Sequence, residues 1–192
     1  MYKMLKENVG LYDAISSLQD EIQKNRKEIL MLREQLIPER VENYSFTSHE
    51  AEGKVYLKDL FGETGELVVI HNMGKKCNYC SLWADGFNGF HEQLSSRVPY
   101  VVISPDSPEL QHEILAKRGW GFRMLSDETS EFTNAMGFLK KDGHYPGFSI
   151  FKKVDDEIFR TNYDFFGPGD FYSPIWHIMD MLPNKVNNWQ PS

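Results

Sequence analysis

Leu67-Val68-Val69-Ile70-His71-Asn72-Met73-Gly74-Lys75-Lys76-Cys77-Asn78-Tyr79-Cys80-Ser81-Leu82-Trp83 is the stretch that decides the fold. It opens with a continuous apolar, β-branched run, Leu67 to Ile70, the mark of a strand buried on both faces. It closes on a Cys-x-x-Cys pair entering a segment with helical periodicity from Cys77 to about Leu94, weakened at Gly86 and Gly89. These are the only two cysteines in the chain. Residues i and i+3 share one face of a helix, close enough for sulfur to meet sulfur. A strand that delivers such a pair to a helix N-terminus builds a reactive dithiol.

Working outward, Tyr100-Val101-Val102-Ile103 repeats the buried-strand pattern, and Ser107 to Lys117 reads as a helix opened by Ser-Pro. A short helix is expected near Ser130 to Met136. Phe148-Ser149-Ile150-Phe151 and Ile158-Phe159-Arg160-Thr161 form a hairpin across Asp155-Asp156. A last helix is expected from about Asp170 to Leu182, with a polar tail from Pro183. Upstream, Tyr44-Ser45-Phe46 and Val55-Tyr56-Leu57 read as small strands. The order is a βαβ unit followed by ββα in one mixed α/β sheet.

Residues 11 to 36 have a different texture. Leu11, Ile15, Leu18, Ile22, Asn25, Ile29, Leu32 and Leu36 alternate spacings of four and three, a heptad seam with Ile at a and Leu at d. Glu21 at g faces Arg26 at a partner's e, Glu28 faces Arg33, and Asn25 would pin the register. The seam predicts a homodimeric coiled coil; an amphipathic helix lying on its own domain is the alternative. Pro38 ends the helix either way. The expected organisation is therefore a helix over 1–40 and an α/β domain over 41–192.

Composition sets the bounds. At 192 residues and 41% hydrophobic content the chain can bury one core. A net charge of −7 without a basic face argues against a nucleic-acid partner. No apolar run approaches the about 18 residues needed to span a bilayer. Met1 to Glu7 lacks the apolar core of a signal peptide, so a cytoplasmic protein is expected. In a reducing compartment a close cysteine pair is more often catalytic or metal-binding than a permanent crosslink.

At a helix N-terminus, unpaired N–H groups and the helix dipole stabilise a thiolate. Cys77 stands there as the expected nucleophile, and Cys80, one turn inside, as the resolving thiol. Lys75 and Lys76 would lower the Cys77 pKa further if they pointed inward; otherwise they solvate a loop. Tyr145-Pro146-Gly147 leads into the strand at Phe148 as a platform for a docked chain, with Tyr145–Pro146 a candidate cis peptide. Trp83, Phe87 and Phe90 form an aromatic stripe expected in the core. Asp85 either caps Gly86 or reaches the dithiol.

Taken together, these elements resemble the thioredoxin fold. Cys77-Asn78-Tyr79-Cys80-Ser81-Leu82-Trp83-Ala84-Asp85-Gly86-Phe87 resembles, more narrowly, a bacterial thioredoxin-like family whose motif runs Cys-Pro-x-Cys-Ser-Phe-Trp-Ala-Asp-Gly-Phe. The resemblance extends through Arg118-Gly119-Trp120 and Pro146 to Phe151, and covers nearly the whole chain. It implies dithiol chemistry without a cofactor. Thioredoxins carry Trp where this chain has Lys76, and a buried carboxylate where it has His71, which makes His71 a candidate base; a hydrogen-bonded core histidine is the other reading. The peroxiredoxin motif Pro-x-x-x-Thr-x-x-Cys is absent before either cysteine.

Three functions follow. The first is a thiol–disulfide oxidoreductase acting on a protein or small-molecule disulfide or other oxidised thiol. The second is copper or zinc binding by Cys77, Cys80 and a histidine among His71, His91, His112, His144 and His177. The third is a redox-silent dimeric interaction module.

Overall fold

The computed structural model describes residues 8–183 and 189–191; the start read as Met1 to Glu7 and most of the tail after Pro183 lie outside the described residues. The chain divides into two units, one ending at Ile37 and the other beginning at Pro38.

The described part of the first unit carries one 25-residue helix, α1 (Val9–Arg33). Its last turn tightens: Glu34 N–H still reaches Leu30 O, but Gln35 and Leu36 bond only three residues back, to Leu32 O and Arg33 O. Leu36, expected to close the heptad seam, therefore falls past the helix end.

The second unit is built on a six-stranded sheet. Its strands are β1 (Glu39–Val41), β4 (Glu66–His71), β5 (Tyr100–Ser104), β6 (Met124–Ser126), β9 (Gly147–Val154) and β10 (Glu157–Phe165), in the order β1-β10-β9-β4-β5-β6. β4, β5 and β6 are parallel; β9 and β10 form the antiparallel hairpin, and β1 pairs with β10. Two small antiparallel pairs, β2 (Ser45–Phe46) with β3 (Val55–Tyr56) and β7 (Leu139–Lys140) with β8 (Gly143–His144), lie outside it. Helices α2 (Asn78–Gly89), α3 (His91–Arg97), α4 (Pro108–Arg118), α5 (Glu131–Ala135) and α6 (Ile175–Asp180) complete this mixed, thioredoxin-like arrangement.

The apolar runs divide by parity, because successive strand side chains point to opposite faces. Leu67, Val69, Val101, Ile103 and Leu125 enter one core layer with Phe132 and Phe138. Ile70, Tyr100, Val102 and Met124 enter the other, with Trp83 and Ala84 of α2, Leu115 of α4 and Trp176 of α6.

Several boundaries differ from expectation. The segment after Cys77 is two helices, broken at Phe90, where the backbone leaves helical geometry directly after Gly89. The final helix is shorter, Ile175–Asp180. The Asp170 carboxylate accepts from the N–H groups of Gly167, Tyr172 and Ser173 and holds that segment as a turn. Pro174 would also have broken a helix running through it.

Candidate active site around the dithiol

β4 ends at His71, and a five-residue loop, Asn72 to Lys76, carries the chain to Cys77 at the N-cap of α2. Gly74 sits at φ +93°, a conformation L side chains rarely adopt, and a Cβ there would come within 2.8 Å of Asp106 Oδ1. That contact is close because Asp106 Oδ2 accepts the Lys75 N–H at 2.8 Å and is bonded by the Ser104 hydroxyl at 3.3 Å. Asn72 Oδ1 accepts the Gly74 N–H at 2.8 Å. The turn after β5 thus shapes the approach to the cysteines.

Cys77 is its own helix cap: its Sγ accepts the Cys80 N–H at 3.1 Å. Cys77 is half-buried and Cys80 buried, both as free thiols. Hydrogen bonding from the Cys80 thiol, with the N–H groups of Cys80 and Tyr79, outweighs partial burial and lowers the Cys77 pKa to about 7. The same bond to Cys77, together with burial, pushes the Cys80 thiol far above its ordinary range. Cys80 is thus the more buried and the less acidic of the two thiols.

The lysines do not produce this difference. Lys75 and Lys76 are exposed, and neither is among the causes of the Cys77 shift; they solvate the loop. His71 is no base either. Sharing the strand parity of Leu67 and Val69, it turns into the layer opposite α2, stacked 3.8 Å from Phe138 and bonded through Nε2 to Ser149 Oγ at 2.9 Å. Burial, with the Arg160 charge adding to it, holds its pKa at about 3, so it takes up protons poorly.

Pro146 shares with Cys80, Trp83 and Ala84 the lining of one small cavity of about 10 Å³, the size of a single water. Its peptide bond is trans, contrary to the cis reading. The groups flanking that bond are paired within the domain, Tyr145 N–H to Phe138 O at 2.7 Å and Pro146 O to the Phe166 N–H at 2.9 Å. Nor does β9 offer an edge, since β10 and β4 pair with its two sides. Gly147 opens β9 because a Cβ there would run into the Asp164 carbonyl oxygen and meet Phe138 at 2.5 Å. Tyr145 points elsewhere, its hydroxyl donating to Asp142 and its ring lying under Lys140 Nζ at 4.3 Å. Trp83 is buried between Phe166, at 5.3 Å, and Trp176, at 5.9 Å, as the core reading expected, whereas Phe90 of the same stripe is exposed, at the break between α2 and α3.

Two residues acquire parts that spacing could not give. Asp85 neither caps Gly86 nor reaches the sulfurs; it accepts from Arg118 Nη1 at 2.9 Å and Trp120 Nε1 at 2.7 Å. Asn88, one turn on, accepts the Gly121 N–H at 2.8 Å. α2 therefore holds the Arg118-Gly119-Trp120 segment through two polar side chains, which joins two separated pieces of the motif. Among the described residues no three His, Cys, Asp or Glu side chains converge as a metal ligand set. His144, for one, bonds Ser130 Oγ at 3.0 Å on the β7–β8 hairpin. Among the described residues no helix is long and apolar enough to cross a membrane.

Solved structures share this fold at low identity. Xanthomonas campestris bacterioferritin comigratory protein, described for alkyl peroxide reduction, is 14% identical, with a TM-score of 0.55 over 64% of this chain and 80% of its own. A mutant of Xylella fastidiosa PrxQ is 18% identical, with a TM-score of 0.55 over 66% and 86%. An uncharacterized conserved protein from Geobacillus kaustophilus is 20% identical, with a TM-score of 0.52 over 71% and 74%. No curated protein matches the sequence. Over residues 14–189 the chain matches, and belongs to, the family described as bacterial protein of unknown function (DUF899).

Proposed function

We propose that this family member is a thiol–disulfide oxidoreductase in which Cys77 attacks and Cys80 resolves. The observation that carries the reading is the Cys77 sulfur at the N-cap of α2, half-exposed, with its pKa lowered to about 7 by its bond with a buried Cys80. Near neutrality about half of such a thiol is thiolate, the nucleophilic form.

Cys77 thiolate attacks one sulfur of a substrate disulfide, forming a mixed disulfide and expelling the other substrate sulfur as a thiolate. The mixed disulfide carries no charge on Cys77, so what held the Cys80 proton is gone. Cys80 then loses its proton and attacks Cys77 Sγ. The Cys77–Cys80 disulfide forms, the second substrate thiolate leaves, and the released proton neutralises a leaving thiolate. The substrate gains two electrons and the dithiol loses two; a dithiol reductant returns the protein to its starting state. The exchange uses sulfur alone and fits a reducing cytoplasm.

The heptad seam of α1 supports a homodimer, with α1 as the dimerising helix and the unit beginning at Pro38 as the redox domain. The Glu21–Arg26 pairing across g and e fits a parallel two-stranded coil.

Insulin-disulfide reduction tests the assignment. Cys77→Ser is expected to abolish it, and Cys80→Ser to accumulate a substrate covalently held on Cys77. Wild-type turnover by Cys77→Ser would sink the reading.

A further inference from the structure

Beside the dithiol lies a second cavity of about 270 Å³, just under the usual size range of small-molecule sites. Its floor is apolar, from the buried Trp120 and Met124. Asn78 and Ser81, on the first turn of α2, form the wall nearest the cysteines. Its charged lining is Lys75, Lys117 and Arg118 against one carboxylate, Asp106. This is a cationic hollow in a chain of net charge −7.

The charges come from two separate elements, the loop before Cys77 and the end of α4, so a basic last turn of one helix does not account for them. Asp106 is committed to the Lys75 N–H and the Ser104 hydroxyl. Arg118 is oriented by Asp85, which Trp120 also binds, so the α2 clamp sets both a cation and the aromatic floor. Two of its lining residues, Lys75 and Asn78, flank Cys77 in sequence, two residues before and one after it.

We infer that this cavity is the substrate subsite of the dithiol and that it takes a low-molecular-weight disulfide bearing carboxylates. The inference rests on the oxidoreductase reading for the reaction, but the binding site stands on its own geometry. The carboxylate sits among Lys75, Lys117 and Arg118, the carbon skeleton lies on Trp120, and one sulfur is presented to Cys77. The electron balance is that of the exchange above: the small disulfide is reduced to two thiols as Cys77 and Cys80 are oxidised.

Full-length reduced protein is mixed with three disulfides of matched length and differing charge: dithiodiglycolate, 2-hydroxyethyl disulfide and cystamine. Each rate is divided by that of the same disulfide with a free small thiol. The anionic compound is expected to react on the order of 10-fold faster than the neutral one at low ionic strength, the advantage shrinking as salt screens the charges. Lys117→Gln, an exposed position, is expected to lower the anionic-to-neutral ratio about 5-fold. Lys54→Gln, the same charge change outside the cavity, should keep the ratio. Equal normalised rates, or equal ratios in the two lysine variants, overturn the subsite while leaving the dithiol reading intact. Binding is measured separately by calorimetry with thiodiglycolate, which has no S–S bond, on the Cys77→Ser protein. Binding lost in Cys77→Ser/Lys117→Gln supports the subsite even if no disulfide reacts, an outcome that would instead defeat the oxidoreductase reading. No binding, or binding indifferent to Lys117, overturns the subsite.

Discussion

Asp106 Oδ2 accepts the backbone N–H of Lys75 at 2.8 Å, and through that one bond the turn after β5 fixes the loop that delivers Cys77. The two residues lie 31 positions apart, and the bond adds to those that Gly74 makes within the loop, its N–H to Asn72 Oδ1 and its carbonyl oxygen accepting the Cys77 N–H. The loop's geometry depends on Gly74, the only residue type that fits both the positive φ and the proximity of the carboxylate.

Gly74→Ala is therefore expected to cost about 1–3 kcal/mol and to slow Cys77 alkylation. In an Asp106→Ala background the same change should cost less, since only the φ strain remains. Urea denaturation of the four proteins in this cycle reads the coupling, expected on the order of 0.5–3 kcal/mol. Strict additivity would show that the carboxylate does not constrain the loop.

The rate of iodoacetamide alkylation at Cys77 is expected to rise with pH and inflect near 7. Cys80→Ala removes the largest cause of the lowered pKa and should move the inflection toward the ordinary thiol range. Folded-state lowering also links to stability. The thiolate stabilises the reduced fold fully above the ordinary pKa of 9.0, and that contribution disappears as pH falls through about 7. The stability difference between reduced wild type and Cys77→Ala should thus grow from pH 7 to 9, modestly because the sulfur is half-exposed to screening solvent.

Trp83→Ala should destabilise the protein by about 3–5 kcal/mol, because it empties the centre of the layer between α2 and α6. Asp85→Ala, at an exposed position, should cost about 1–2 kcal/mol by leaving the Trp120 indole N–H without its acceptor. A distinguishing readout is Trp fluorescence: loss of the Asp85 bond should alter Trp120 emission while the core remains folded.

Ile22→Glu places a charge at the middle a position of the α1 seam. Sedimentation of the full chain should move from the mass of two copies to that of one, with insulin reduction per subunit retained. An unchanged mass would show that α1 does not hold the subunits together.

The strands around the dithiol were legible because β4 and β5 each show an uninterrupted apolar run. The start of α2 was legible from the Cys-x-x-Cys step itself. β1, β6 and the β7–β8 hairpin were not, because two or three residues are too few to display a period and these carry none of the Tyr and Phe that marked β2 and β3. Asp106 and Asp85 escaped for another reason: each acts on a partner more than thirty positions away, and pairing at that range leaves no local signature. His71 looked chemical because of its place in the order of residues. Strand parity, visible in the same sequence, already turned it away from α2.

The Cys77 sulfur capping α2 also makes the redox couple a property of the secondary structure. A thiolate receives the Cys80 N–H more strongly than a neutral disulfide sulfur does, so oxidation weakens the first turn of the helix. If that cap contributes about 1 kcal/mol, the reduction potential shifts by roughly 20 mV toward the oxidising side. Amide exchange at Cys80 would then report the electron count of the protein directly, with the helix start serving as its gauge.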